Sequence, residues 1–215
     1  MFGVQSRRRT AALLGSWAGA IAVLLAAALS VHGADNKQDT KPDESQKAAA
    51  LAAWDRIVTV LQHPRCMNCH QENVPLQGDE RRIHIPLVVR GPKDGEEGAG
   101  EGVSAMHCRN CHNVSGNNET SGTPGGGDTG KERWRLAPSS MTWQDLSSAK
   151  LCGALSNQDS NDHMNGDQLI IHMSSPLVMW GWDPGGDRTA VPMPHNEFIE
   201  QMRIWVAGKM ACPTN

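Results

Sequence analysis

Apolar side chains recur at helical spacing in four stretches of the chain and are sparse between them. The first stretch covers residues 48–62 and predicts a helix whose apolar stripe consists of Leu51, Trp54, Val58 and Leu61. Pro64 follows closely, and the residue before a proline is pushed out of the helical region. We therefore expect this helix to end immediately before Cys66.

The other three periodic segments lie in the C-terminal half. One begins at a Thr142 cap and runs through Leu151, one covers residues 166–173, and one covers residues 196–208. Glycine and proline are frequent between the segments, which indicates loops, and no alternating run predicts a strand of any length. The predicted fold class is mainly α with extensive loops.

The N-terminus is predicted to be a separate segment. Three arginines, Arg7 to Arg9, precede an uncharged apolar run over residues 11–31, which is typical of an export signal. We expect residues 1–34 to be either a cleaved signal peptide or an N-terminal membrane anchor, and the run is long enough for both. A polar linker, residues 35–47, and one domain, residues 48–215, follow it. The location predicted is the periplasm, with membrane contact only through residues 11–31 if they are uncleaved.

Composition narrows the class of protein further. The chain has 215 residues, which is enough for one sizeable domain. It contains seven Trp but only two Phe and no Tyr, so its core is poor in large rings other than indole. The net charge is −3 and no basic stripe is present, which argues against nucleic-acid binding.

Two short motifs carry the candidate chemistry, Cys66-Met67-Asn68-Cys69-His70 and Cys108-Arg109-Asn110-Cys111-His112. Both are C-x-x-C-H, the attachment signature of c-type haem. The paired thiols form thioethers with the porphyrin, and the following imidazole, His70 or His112, becomes the proximal iron ligand. We therefore expect two covalently bound haem c groups. A four-cysteine zinc site has the same cysteine spacing and is the alternative.

The spacing of the motifs predicts one shared domain. Only residues 71–107 separate the two motifs, which is too few for a three-helix cytochrome c domain around the first haem. We expect a compact di-haem cytochrome c-like domain in which the haems lie close together.

Distal iron ligands are expected among the remaining His and Met residues. His84 is a candidate that could fold over the first haem, Met141 is a second candidate in a proline-containing loop, and His172 is their main rival. The choice matters because a thioether ligand raises the reduction potential relative to a second imidazole. Met141 is equally interpretable as a core methionine, and His84 as an exposed loop residue.

Cys152 and Cys212 lie outside both motifs. An exported protein experiences an oxidising compartment, so we expect these cysteines to form a disulfide; two free buried thiols are the alternative.

Longer stretches of residues 50–213 resemble a family of small exported di-haem cytochromes known as isoquinoline 1-oxidoreductase subunits. The shared words are His63-Pro-Arg-Cys-Met-Asn-Cys-His70, Gln77-Gly-Asp79, Arg90-Gly-Pro92, Leu136-Ala-Pro138, Leu151-Cys152, Leu177-Val-Met-Trp-Gly-Trp-Asp-Pro-Gly185 and Cys212-Pro213. The resemblance implies a redox partner protein of the molybdenum hydroxylase or dehydrogenase class.

The sequence thus predicts an electron carrier and no catalytic residue of its own. It would pass single electrons from a dehydrogenase or hydroxylase to a respiratory acceptor, as the cytochrome subunit of an oxidoreductase complex or as a free carrier. Two other classes stay open: a di-haem peroxidase-like enzyme with one open haem, and a zinc-bound interaction module.

Overall fold

A computed structural model describes residues 43–112 and 133–214, which belong to one compact unit within residues 40–215. Helices and loops dominate these residues. The helices are α1 (Glu44–Leu61), α2 (Pro64–Met67), α3 (Ser148–Ser156), α4 (Gly166–His172), α5 (Pro176–Met179) and α6 (His195–Ala207). The strands β1 (Leu76–Gln77) and β2 (Arg82–Ile83) form an antiparallel pair, with Leu76 opposite Ile83. The mainly α class is confirmed at this level.

The predicted signal or anchor, residues 1–34, lies outside the described residues, as does the linker as far as residue 42. Within the described parts of the chain, no helix is long and apolar enough to cross a membrane.

Helices α1 and α6 pack against each other and build most of the core. The rings of Trp54 and Trp205 are fully buried, with centroids 5.1 Å apart. Trp54 also donates its indole N–H to the Ser148 hydroxyl at 2.9 Å, which joins α1 to α3. At the end of the pair, a side chain added at Gly208 would lie 2.4 Å from Ala50 Cβ. This glycine therefore allows the backbones of the two helices to approach.

Helix α1 begins earlier than the sequence predicts. The side chain of Asp43 accepts a hydrogen bond from the amide of Gln46 and caps the helix, so residues 44–47 form its first turn instead of a linker. Its buried face includes Trp54 and Leu61, as predicted, and also Ile57. The predicted helices over 166–173 and 196–208 are observed within a residue or two of those bounds.

The prediction that a helix begins after a Thr142 cap is wrong. Helix α3 begins at Ser148, and the Ser147 hydroxyl accepts from the amide of Lys150 as its cap. Asp145 prevents an earlier start, because its φ of 59° lies in the left-handed region, which a right-handed helix does not contain. The amide of Trp143, before it, donates to the carbonyl of His70.

The predicted disulfide between Cys152 and Cys212 is confirmed. Cys152 lies on α3, and Cys212 follows α6, so the bond ties the chain end to the core beside the α1–α6 pair. The Trp205 indole N–H donates to the carbonyl of Ala211 at 3.0 Å and holds the same segment.

We expect the Cys152→Ala/Cys212→Ala double variant to lose about 2–4 kcal/mol of unfolding free energy, because the bond closes a long loop in the unfolded chain. The cysteines are 60 residues apart. Urea denaturation followed by circular dichroism would measure the loss. A reductant should destabilise the wild type by a similar amount and leave the double variant unchanged; equal destabilisation of both would contradict the assignment.

Candidate functional site

The two C-x-x-C-H motifs adopt the same local turn. In the first, the carbonyl of Cys66 accepts the amides of Cys69 (3.1 Å) and His70 (3.2 Å). In the second, the carbonyl of Cys108 accepts the amides of Cys111 (3.2 Å) and His112 (2.8 Å). In both motifs, therefore, one short turn brings the two thiols and the imidazole together.

The first turn is positioned by the end of α1. His63 has an extended conformation and caps α2, in which Pro64 takes the first helical position and needs no hydrogen bond from its nitrogen. The carbonyl of His63 then accepts the amide of Cys66 at 3.0 Å. The proline that ends α1 thus also starts the turn that carries the first motif.

The His70 ring is held with one nitrogen committed to the backbone. Its Nδ1 lies 2.8 Å from the carbonyl oxygen of Met141, and a carbonyl can only accept, so Nδ1 carries the proton. Trp143 stacks on the ring at 3.3 Å between centroids. Burial lowers the pKa of His70 to about 3 despite that hydrogen bond, so the ring is neutral at pH 7. Its Nε2 therefore has the lone pair that a metal ligand needs.

The His112 ring has a similar environment. Trp134 stacks on it at 4.1 Å between centroids, and the ring of His84 lies 6.0 Å away. Burial, and then the neighbouring His84 and Arg188, lower the pKa of His112 to about 4. This imidazole is also neutral at pH 7, as iron ligation requires.

Segment 133–143 contacts the first motif through its backbone and the second motif through a tryptophan ring. The amide of Leu136 donates to Gly100 at 2.9 Å and that of Ala137 donates to Cys69 at 3.2 Å. Gly100 has a φ of 77°, and a side chain there would lie 2.7 Å from the Leu136 carbonyl oxygen, so this contact requires glycine. The segment also supplies Trp134 to one motif histidine and Trp143 to the other.

Each motif opens into a cavity. The first cavity, of about 130 Å³, is lined by the first motif and by Met141, His172 and Met173. The second cavity, of about 510 Å³, is lined by the second motif and by His84, Met106 and His107. The second volume lies within the range of about 300–1,000 Å³ that is usual for cofactor sites, whereas a porphyrin in the first cavity would have to displace side chains that line it.

One set of residues lines both cavities and forms a shared wall between them: Arg65, Cys69, Trp134, Arg135, Leu136 and Trp180. Trp134 and Trp180 meet edge to face at 5.0 Å, and the guanidinium of Arg65 lies 5.4 Å from the centre of the Trp180 ring. The two candidate sites are therefore neighbours in one core.

The donor set of this region fits haem c. The four motif cysteines form no disulfide. Burial raises the pKa of Cys66 to about 12 and those of Cys69 and Cys108 to about 11, so these three side chains are thiols at pH 7. Addition of sulfur and a proton across a vinyl group gives a neutral thioether, which leaves no buried charge.

The shared wall also has buried donors that need an acceptor. Arg65 Nε, Trp134 Nε1 and Trp180 Nε1 are buried and have no hydrogen-bond partner among the described residues. A buried donor without a partner costs roughly 1–3 kcal/mol. The carboxylates of a haem propionate are acceptors of the right kind for such donors. In the same part of the chain, no three His, Cys, Asp or Glu side chains are grouped as ligands of a single metal ion.

The structure distributes the candidate distal ligands differently from the sequence-based expectation. His84 lies beside the second motif and not the first. Met141 and His172 both lie at the first motif. Because the Met141 carbonyl accepts from His70 Nδ1, the backbone of Met141 lies at the edge of the ring opposite Nε2.

Two important residues were not predicted from the sequence. Arg65 belongs to the shared wall, and buried Asn68, inside the first motif, donates its side-chain amide to the Gly78 carbonyl at 2.9 Å. Their position beside the cysteines of the first motif is the signal that the sequence offers, and it does not indicate burial.

No protein-family model, curated protein or solved structure matches this chain.

Arg65 is a buried cation whose charge is balanced by Asp79. Its side chain is 1% exposed, and its guanidinium forms an ion pair with the Asp79 carboxylate, which is 36% exposed. That carboxylate also accepts from the hydroxyl of Thr189 at 2.7 Å and from its amide at 3.1 Å. The Thr189 hydrogen bonds, followed by the charge of Arg65, lower the pKa of Asp79 below its ordinary 3.8.

We expect Asp79→Asn to lower the unfolding free energy by about 1–3 kcal/mol at pH 7, because the buried guanidinium loses its counter-charge. The loss is less than for a fully buried pair, since Asp79 is partly exposed. Because the pKa of Asp79 is lowered by folding, its contribution exists above pH 3.8 and disappears as the pH falls further, so the two proteins should converge in acid.

Denaturation curves at several pH values would measure this difference. Glu80→Gln is the matched control, since Glu80 pairs with Arg82 on the surface at 3.7 Å and should cost less than about 0.5 kcal/mol. Equal losses in the two variants would show that the burial of Arg65 is not what makes Asp79 important.

Proposed function

We propose that this chain is a periplasmic di-haem c-type cytochrome that passes single electrons from a dehydrogenase or hydroxylase to a respiratory acceptor. One observation carries the proposal: the same turn occurs twice, and each copy brings two cysteines and a neutral imidazole to one of two adjoining cavities. In this function the chain is a carrier and not an enzyme, although it can be the cytochrome subunit of an enzyme complex.

The protein's own residues have distinct roles in this proposal. Cys66 and Cys69 hold the first haem c, Cys108 and Cys111 hold the second, and His70 and His112 are the proximal ligands. When bound, haem iron takes up and releases one electron at a time. The Met141 carbonyl fixes the tautomer of His70 and points its Nε2 away from the backbone.

The shared wall supports transfer between the two centres. Cys69 lines both cavities. Along that part of the border, one cysteine that would bind the first haem is all that separates the two sites. Trp134 and Trp180 form another part of that border, where their rings pack edge to face. A carrier in which two redox centres adjoin can accept an electron at one and deliver it from the other.

For the first haem we propose His172 as the distal ligand in preference to Met141. His172 ends α4 and lines the first cavity with His70. The shared cavity lining places both side chains at one site, where His172 can supply an imidazole to the same iron. Met141 instead uses its backbone to support the proximal side.

A surface for the redox partner lies beside the second cavity. Ile83, Ile85 and Leu87 are 62%, 73% and 60% exposed, and Ile85 also lines that cavity. Adjacent exposed apolar side chains typically mark interaction sites. We propose that the donor or acceptor protein docks here, close to the second haem.

The central test is a haem count on full-length protein matured in a host that attaches haem c. Intact mass and the pyridine haemochrome assay should find two haems per chain in the wild type, and one in each of the variants Cys66→Ala/Cys69→Ala and Cys108→Ala/Cys111→Ala. Cys152→Ala/Cys212→Ala removes the same number of cysteines, here those of the disulfide, and should retain two haems. A wild-type mass equal to that of the polypeptide alone would refute the proposal and favour a zinc-bound module.

Ligand substitutions test the first distal site. His172→Ala should open one ferrous haem to carbon monoxide, because no side chain then occupies the sixth position, whereas Met141→Ala should not. Loss of a near-infrared sulfur-to-iron band in Met141→Ala would instead assign the thioether. Carbon monoxide binding by the wild type would favour the peroxidase-like alternative with one open haem.

A further inference from the structure

We infer that His84 is the distal ligand of the second haem, so that the second iron is held between two imidazoles, His84 and His112. This inference rests on the proposed function and adds to it the ligand set of one centre. It differs from the expectation raised by the sequence, in which His84 belonged to the first haem.

The distance between the two rings fits ligation of one metal from opposite sides. An imidazole nitrogen lies about 2 Å from a bound transition metal, and the ring centre lies about 1 Å further, so two such ligands have ring centres about 6 Å apart. The centroids of His84 and His112 are 6.0 Å apart. Both residues line the same cavity, together with Cys108 and Cys111.

The hydrogen bonding of His84 leaves its Nε2 with the lone pair that iron ligation needs. Its Nδ1 lies 2.8 Å from the carbonyl oxygen of Pro86, and since a carbonyl only accepts, Nδ1 carries the proton. The lone pair is therefore on Nε2, which can be donated to iron without loss of a proton. The same arrangement holds His70, and a backbone carbonyl on the second nitrogen is usual for a metal-bound histidine.

The backbone around His84 is anchored to the first motif. The His84 amide donates to Pro75 at 3.2 Å, directly after the β1–β2 pair. At the base of that pair, the amide of Leu76 donates to the Asn68 carbonyl at 2.9 Å, and the Asn68 side chain reaches Gly78. The chain between the two motifs therefore attaches to the first one and presents a ligand to the second.

Two other residues in the second cavity are rival ligands, Met106 and His107. His107 directly precedes the thioether-forming Cys108, and its Nδ1 lies 3.4 Å from the Glu101 carbonyl. His107 lines the same cavity, and its substitution also removes one imidazole, so His107→Ala is a matched control for His84→Ala.

The experiment uses the full-length holoprotein and three variants: His84→Ala, His107→Ala and His84→Met. All should keep two haems by pyridine haemochrome, because the thioethers are untouched. His84→Ala should bind one carbon monoxide per two ferrous haems and show a high-spin ferric component, whereas the wild type and His107→Ala should do neither. His84→Met should gain the near-infrared sulfur-to-iron band and raise the potential of one haem.

Several results would overturn the inference without touching the proposed function. These are two haems with an unchanged spectrum in His84→Ala, or carbon monoxide binding caused by His107→Ala instead. If His84→Ala does not accumulate, the His172→Ala variant decides. Its first haem lacks the proposed distal imidazole, so a bis-imidazole signal in near-infrared magnetic circular dichroism must come from the second haem, and absence of that signal would refute the pairing. A wild type without haem would refute the proposed function itself.

Discussion

The backbone hydrogen bonds of segment 133–143 are the constraint on which the site depends. This segment donates backbone hydrogen bonds to Cys69 and His70 of the first motif and to Gly100, which precedes the second motif in the chain. Its two tryptophans then cover the two motif histidines.

The remaining support comes from the α1–α6 pair and the disulfide. Helix α1 delivers the first motif at its C-terminal end, and α6 fixes α1 through the Trp54–Trp205 contact. Among the described residues, no helix of comparable length lies beside the second motif. Loop contacts hold it, such as the Cys108 amide on the Glu101 carbonyl at 2.8 Å.

Burial of polar groups links the core to the proposed cofactors. Arg65 is enclosed between the two cavities. The Asp79 carboxylate pairs with its guanidinium, but Arg65 Nε has no hydrogen-bond partner among the described residues. The indoles of Trp134 and Trp180 add two more donors without partners among the described residues. Buried donors without acceptors lower the stability of the empty core, and bound anionic groups would remove that cost by accepting their hydrogen bonds.

The sequence by itself determined the features that depend on short-range chemistry. C-x-x-C-H spacing predicts the turn, helical periodicity predicts α1, α4 and α6, and two leftover cysteines in an oxidising compartment predict the disulfide. Tertiary structure alone decided that His84 lies beside the second motif, that Trp143 donates its amide to His70, that α3 begins only at Ser148, and that Arg65 is buried. The physical reason is that those outcomes depend on contacts between residues far apart in the chain, which local propensity and spacing do not encode.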